Sequence, residues 1–185
     1  KAVKILQLKI KNLKLKILAV GDGDFKKNCE NLAQNLELNN IQFISAVSPE
    51  EAVGYYKRAS CFVLPARFLW NASVPAEAWG FTVNEALSAG LPVITTDVVA
   101  AADDLIEDGV NGFKIKSDNP DDLAEKIKLL MENPEILLKM SGSAKDKVKN
   151  FTPQKQFETF AEALTDDDEE IKNIKKITDE VHGWL

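Results

Sequence analysis

Glu77 and Glu85 place two carboxylates eight residues apart in the segment E-A-W-G-F-T-V-N-E-A-L-S-A-G-L-P-V-I, which runs from Glu77 to Ile94. A helix pattern begins near Gly80, and the apolar run from Pro92 to Ile94 reads as a buried strand. One carboxylate therefore precedes a helix. The other lies inside it, roughly 7–8 Å along the axis from Gly80 at ~1.5 Å per residue. Two such carboxylates first suggest an acid/base couple, but the helix start points elsewhere. Its free N–H groups and positive dipole end suit an anion such as a diphosphate. Gly80 lets a phosphate approach the backbone, the amides of Phe81 and Thr82 point toward it, and the Thr82 hydroxyl can join them. A carboxylate accepts one O–H on each oxygen, so Glu77 suits the hydroxyls of a sugar and Glu85 those of a ribose. The alternative is a pair of ordinary exposed helix glutamates, which the spacing alone favours. The glycines at 80 and 90 and the strand-loop-helix-strand setting favour the site.

The elements that must position these residues follow from hydrophobic periodicity and turn chemistry. Strands are expected over 15–20, 40–45, 60–64, 92–95 and 113–116. Helices are expected over 2–11, 25–37, 49–59, 80–89, 101–107, 120–132, 134–150 and 153–164. Ser48 and Pro49 mark one helix start, and Gly90 is expected as the C-cap of the glutamate-bearing helix. Strands alternating with helices give an α/β fold, a Rossmann-like doubly wound parallel sheet with helices on both faces. Ligands in such folds bind at the C-terminal strand edge. The loops at 21–24, 46–48, 65–79 and 96–100 should gather there. The 65–79 loop carries Phe68, Trp70 and Trp79, either as a pocket wall or as a packed cover. A segment over 165–185 opens with acidic residues and continues as an apolar stripe, Ile171, Ile174, Ile177, Val181 and Trp184. It reads as a C-terminal amphipathic helix that packs on residues 1–164 or meets another domain or subunit.

Composition excludes several functions. With 185 residues, 45% apolar and 28% charged, the chain can build a core. A net charge of -6 and a pI near 5.0 argue against a nucleic-acid binder. Lys1, Lys4, Lys9, Lys11, Lys14 and Lys16 crowd the N-terminal part, either as a solvated face or as a contact for phosphate or anionic lipid. A single histidine, His182, argues against a histidine triad or a histidine-ligated metal. Cys29 and Cys61 match neither a disulfide framework nor a metal spacing, and both are expected as reduced core residues. No apolar run approaches the ~20 residues of a membrane span.

Five ordered segments carry a family resemblance: A-V-G-D-G after the first strand, F-I-S-A-V-S-P-E-E after the second, C-F-V-L-P after the third, the E-A-W-G-F-T-V-N-E-A-L-S-A-G-L-P-V-I-T-T-D core, and D-L-I-E-D-G-V-N-G-F. Together they resemble the C-terminal, donor-binding domain of retaining glycosyltransferases of the group 1 family (family 4, GT-B fold), over about residues 14–164. The resemblance implies that Glu77 contacts the transferred sugar near its anomeric centre. It implies that the backbone of Gly80, Phe81 and Thr82 holds the diphosphate and sugar, that Glu85 binds ribose, and that the backbone of Val47 meets the base. It further implies transfer of a sugar, with retention, from a UDP-, GDP- or ADP-sugar to an acceptor hydroxyl, with no metal or other cofactor. A front-face reaction, in which the leaving phosphate helps deprotonate the acceptor, is implied over a covalent glycosyl-Glu77. Polysaccharide or glycoconjugate synthesis in the cytoplasm follows, with an acceptor glycan or lipid held by an N-terminal domain and with peripheral membrane association of the full-length protein.

The chain departs from the family in one large respect. The family's domain opens with a strand and a G-R-x-x-x-x-K-G loop, whereas residues 1–13 resemble the helix after that loop. In the strand order 3-2-1-4-5-6 the first strand is central, so a sheet with a gap is expected. The chain alone should then bind donor weakly and catalyse little. A non-catalytic nucleotide-sugar binding or assembly module is the alternative function. A smaller departure is V-V-A-A-A after Asp97, where relatives often carry glycine.

Overall fold

A computed structural model describes residues 1–11, 13–68, 77–149, 151–152, 154–155 and 157–158. In chain order the elements are α1 (Ala2–Lys9), β1 (Ile17–Val20), α2 (Lys26–Asn35), β2 (Ile41–Ile44), α3 (Pro49–Arg58), β3 (Phe62–Leu64), α4 (Phe81–Ser88), β4 (Val93–Thr96), α5 (Ala100–Leu105), β5 (Gly112–Ile115), α6 (Pro120–Glu132) and α7 (Pro134–Val148). The helix expected over 153–164 falls largely, and the one over 165–185 wholly, outside the described residues. So do Trp70 and His182.

Local chemistry sets the helix starts. Ser48 Oγ accepts from the Glu51 amide while the Glu51 carboxylate accepts from the Ser48 amide, and Pro49 occupies the first position of α3. Two orphan donors are thereby satisfied. Asn119 caps α6 by accepting from the Asp122 amide, again with proline first. Helix α5 stops at Leu105, earlier than expected, because the Glu107 amide donates to Asn111 Oδ1 at 2.9 Å instead of continuing the helix. Asn111 Nδ2 donates to the Leu105 carbonyl at 2.8 Å, so this buried amide pins the whole turn before β5. At the end of α4 the C-cap is Ala89, and Gly90 follows it with φ +80°, one position later than expected.

Every strand pair among the described residues is parallel. The central strand is β4, with Phe62, Val93 and Gly112 aligned across β3, β4 and β5. Its four residues are all buried, and their side chains alternate between two cores. Val93 packs with Val83 and Leu87 of α4, Leu105 of α5 and Val99 just before α5, whereas Ile94 packs with Phe113, Leu130 and Met140 from the α6 side. Each such side chain contributes about 1.5–3 kcal/mol when fully buried. Helix α1 adds a third core by laying Leu6 against Ala124 of α6, with Leu123 and Ile127 packed around them.

The hydrogen bonds define two sheets, β1–β2 and β3–β4–β5. The break falls between β1 and β3, where the order 3-2-1-4-5-6 would put its central strand. Each of those strands therefore has one unpaired edge among the described residues. Burial reflects this. No residue of β1, β2 or β3 is fully buried, and Val20 at the end of β1 is 43% exposed.

The cysteines divide. Cys61 sits against the α6-side core, and burial pushes its thiol up to about 12. Cys29 is exposed, contrary to expectation, because α2 buries only Ala33 and leaves the rest of its stripe uncovered. Among the described residues no helix is long and apolar enough to cross a membrane.

Candidate functional site and family

At the C-terminal strand edges the described parts of the loops expected there are tied in pairs. Asp22, after β1, accepts from the Ala46 amide, after β2, at 2.6 Å. Lys26 at the start of α2 donates to both Asp22 and Ser45. That ammonium, together with the Ala46 amide, holds the Asp22 carboxyl below the usual carboxylate range. Across the other sheet, Thr96 donates to the Ala66 carbonyl at 2.8 Å, tying the β4 end to the loop after β3. Asp97 accepts from the Ser117 amide and pairs with Lys116, which keeps its carboxyl low as well.

Helix α4 begins at this edge. Its N-cap is Gly80, with φ +95° and ψ +58° and no side-chain cap. A Cβ there would lie 2.8 Å from Val99 Cγ1 and 3.3 Å from Leu64 Cδ2. The helix start is thus packed tightly on the β4–α5 loop, and glycine answers both that contact and the left-handed backbone. Gly80→Ala should destabilise the fold by about 2 kcal/mol, or roughly 4–8 °C in thermal midpoint. An unchanged midpoint in a melting experiment would refute this packing argument.

The first intrahelical bond at this end is from the Val83 amide to the Gly80 carbonyl, at 2.8 Å. The amides of Phe81 and Thr82 precede it, and no described protein group takes them. Free amides of this kind, at the positive end of a helix dipole, favour an anion. Phe81 stands 74% exposed at the helix mouth. The Thr82 hydroxyl departs from expectation: it is buried and no described group bonds to it, which leaves the backbone amide as the open group of Thr82.

The two glutamates flank this end. Glu77 is half-buried before the helix, and no described group pairs with it. Glu85 is exposed on α4, and its Oε2 accepts from the Tyr56 hydroxyl at 2.7 Å. Val47 lies half-buried between Ala46 and Ser48, whose amides are taken by Asp22 and Glu51. No described group bonds to the Val47 backbone, which leaves it open to a ligand.

Two positioning contacts were missed in the sequence. Trp79 Nε1 donates to Asn84 Oδ1 at 3.1 Å, and the Trp79 carbonyl accepts from the Ala101 amide at 3.0 Å. The short link between Glu77 and the helix is therefore tied, through Trp79, to both α4 and α5. Tyr56 is the other. The signal for each was an aromatic with a polar handle, which needs a partner once it is half-buried. A separate open depression of about 300 Å³ lies before β5, lined by Glu107, Val110, Asn111, Ser143, Asp146 and Lys147. It is at the opposite strand edge from α4's first turn.

Comparison with known proteins places this arrangement. Residues 1–147 match the family described as glycosyl transferases group 1. The chain belongs to that family. Among relatives of this group 1 chain is an uncharacterized glycosyltransferase of Methanocaldococcus jannaschii, 30% identical over 155 residues, which are 84% of this chain and 42% of that protein. The poly(glycerol-phosphate) alpha-glucosyltransferase of Bacillus subtilis is 28% identical over 166 residues, covering 88% of this chain and 23% of that protein. The first curated relatives are matched over 42%, 38% and 31% of their own lengths, so the group 1 chain spans less than half of each. Among solved structures, Anabaena HepE in complex with UDP superposes with a TM-score of 0.74 at 20% identity, over 89% of this chain and 44% of that one. TarM superposes at 0.73 and 19% identity, over 89% and 31%. At these identities the likeness shows the fold alone, one half of the GT-B architecture.

Proposed function

We propose that this chain is the donor-binding half of a retaining glycosyltransferase, which moves a sugar from a nucleoside diphosphate to an acceptor hydroxyl. The observation that carries the reading is the open N-terminus of α4. Two untaken amides, Phe81 and Thr82, sit between a carboxylate before the helix and a second carboxylate on it. In this reading the amides hold the diphosphate, Glu77 faces the sugar, Glu85 accepts from the ribose hydroxyls, and the Val47 backbone meets the base. UDP is the natural first probe, because HepE was crystallised with UDP and with UDP-glucose.

In the reaction, the bond from the anomeric carbon to the diphosphate oxygen breaks and a bond from the acceptor oxygen forms on the same face. The acceptor proton passes to the departing phosphate. Positive charge grows at the anomeric carbon meanwhile, and a carboxylate aimed there stabilises it. The acceptor, a glycan or a lipid, is held by a second domain at the cytoplasmic face, and the product is a polysaccharide or glycoconjugate.

Isothermal titration of the chain with UDP, GDP and ADP tests the donor reading. Glu85→Ala should weaken the tightest of them about tenfold or more, since hydrogen bonds to a charged group contribute ~1.5–3 kcal/mol. An unchanged affinity would remove Glu85 from the site. Failure of all three nucleotides to bind would overturn the donor reading itself.

A further inference from the structure

Resting on the donor reading, we propose that Tyr56 is a positioning residue of the nucleotide site: its hydroxyl holds one oxygen of Glu85 and leaves the other for the ribose. The bond is 2.7 Å long and joins α3 to α4 across 29 positions of sequence. An exposed glutamate otherwise moves about three rotatable bonds. A tyrosine has two, and here the ring is fixed. It meets the Phe62 ring at a centroid distance of 5.8 Å and packs on the core that contains Val83 and Leu87. The hydroxyl is therefore a post of defined position.

Proton arrangement supports the direction of the bond. Burial pushes the Tyr56 phenol far above its ordinary range, and the hydrogen bond to Glu85 raises it further. The phenol stays protonated and donates, and the carboxylate accepts. An ionised carboxylate has about four acceptor positions. Tyr56 fills one, on Oε2, and no described group takes Oε1. A vicinal diol needs one acceptor for each O–H, so the remaining capacity matches the ribose 2′ and 3′ hydroxyls.

Helix α3 gives the contact a second meaning. Its capped start follows directly on Val47, and Tyr56 stands two turns later. One rigid element thus carries the loop assigned to the base and the post that orients the carboxylate assigned to the ribose. Pre-organisation of this kind acts by removing the cost of ordering a side chain on binding.

Tyr56→Phe keeps the ring and removes only the hydroxyl, and the test compares two ligands on the full chain. With UDP, or with GDP or ADP if one binds more tightly, the variant should lose about three- to tenfold in affinity. With the matching 2′,3′-dideoxynucleoside diphosphate it should lose less than about twofold, since one unmade hydrogen bond has nothing left to orient. On a Glu85→Ala background, Tyr56→Phe should change neither affinity, because the group it orients is gone. Equal losses for both ligands, or no loss for either, would overturn the positioning role while leaving Glu85 in the site. If the parent chain binds ribose and dideoxyribose nucleotides equally, or binds none, the ribose reading fails and this inference fails with it.

Discussion

Glu77→Gln should lower sugar transfer about 100-fold, the scale expected when one pre-set electrostatic contact to the reacting centre is removed. The assay needs a polypeptide that contains this chain together with an acceptor domain. The replacement keeps the size and hydrogen-bonding reach of the side chain and removes its charge. Glu77 is suited to such a role because nothing described neutralises it, while Trp79, two residues on, is bonded to Asn84 and to the Ala101 amide. The backbone beside the carboxylate is thus held from two sides. Affinity for the nucleoside diphosphate alone should stay within about twofold, since the group acts on charge that exists only during transfer. Equal transfer rates for the two proteins would take Glu77 out of the mechanism. A parallel loss of nucleotide affinity would instead assign it to ground-state binding.

Gly112→Ala should destabilise the domain by about 3 kcal/mol or more in urea unfolding. Gly112 opens β5 directly beside Val93. A methyl group there would run into the Val93 carbonyl oxygen, with the Val93 nitrogen and carbonyl carbon each 3.1 Å away. Side chains at a crowded site can turn aside, but backbone in a paired strand cannot. Val93 and Ile94 are fully buried on opposite faces of the sheet, so β4 has no direction in which to yield. The neighbouring Asn111 bridge would be strained by the same shift. An unfolding midpoint equal to that of the parent chain would show that the ladder can relax here after all.

Much of the fold was legible because its signals are local. Ser48, Pro49 and Glu51 announce α3, Asn119 and Pro120 announce α6, and the runs around Val63, Ile94 and Phe113 announce strands. The helix start at Gly80 was legible for the same reason, and the order of strands indicated where the sheet would break. What was missed depends on contacts between distant residues. Periodicity along α3 marks Tyr56 as an apolar-face residue, and nothing nearby in sequence points to Glu85. Cys29 lies one turn before buried Ala33 and reads as core, yet coverage of a helix stripe depends on what packs over it. The Thr82 hydroxyl was expected to join the phosphate site, but it is buried with no partner among the described residues.

The division into two hydrogen-bonded sheets has a consequence for the site. Val47 belongs to the loop leaving β2, while the amides of Phe81 and Thr82 stand beside β3 and β4, in the other sheet. Among the described residues no ladder of main-chain bonds connects these two walls. Side-chain contacts bridge them: Leu15, just before β1, packs on the cluster of Leu6 from α1 and Ala124 from α6, and Tyr56 of α3 meets Phe62 and Glu85. A nucleotide seated as proposed would span that seam and act as a clasp between two halves. Part of its binding free energy would then go into stiffening the protein, and anything that locks the seam beforehand would raise affinity without touching the ligand.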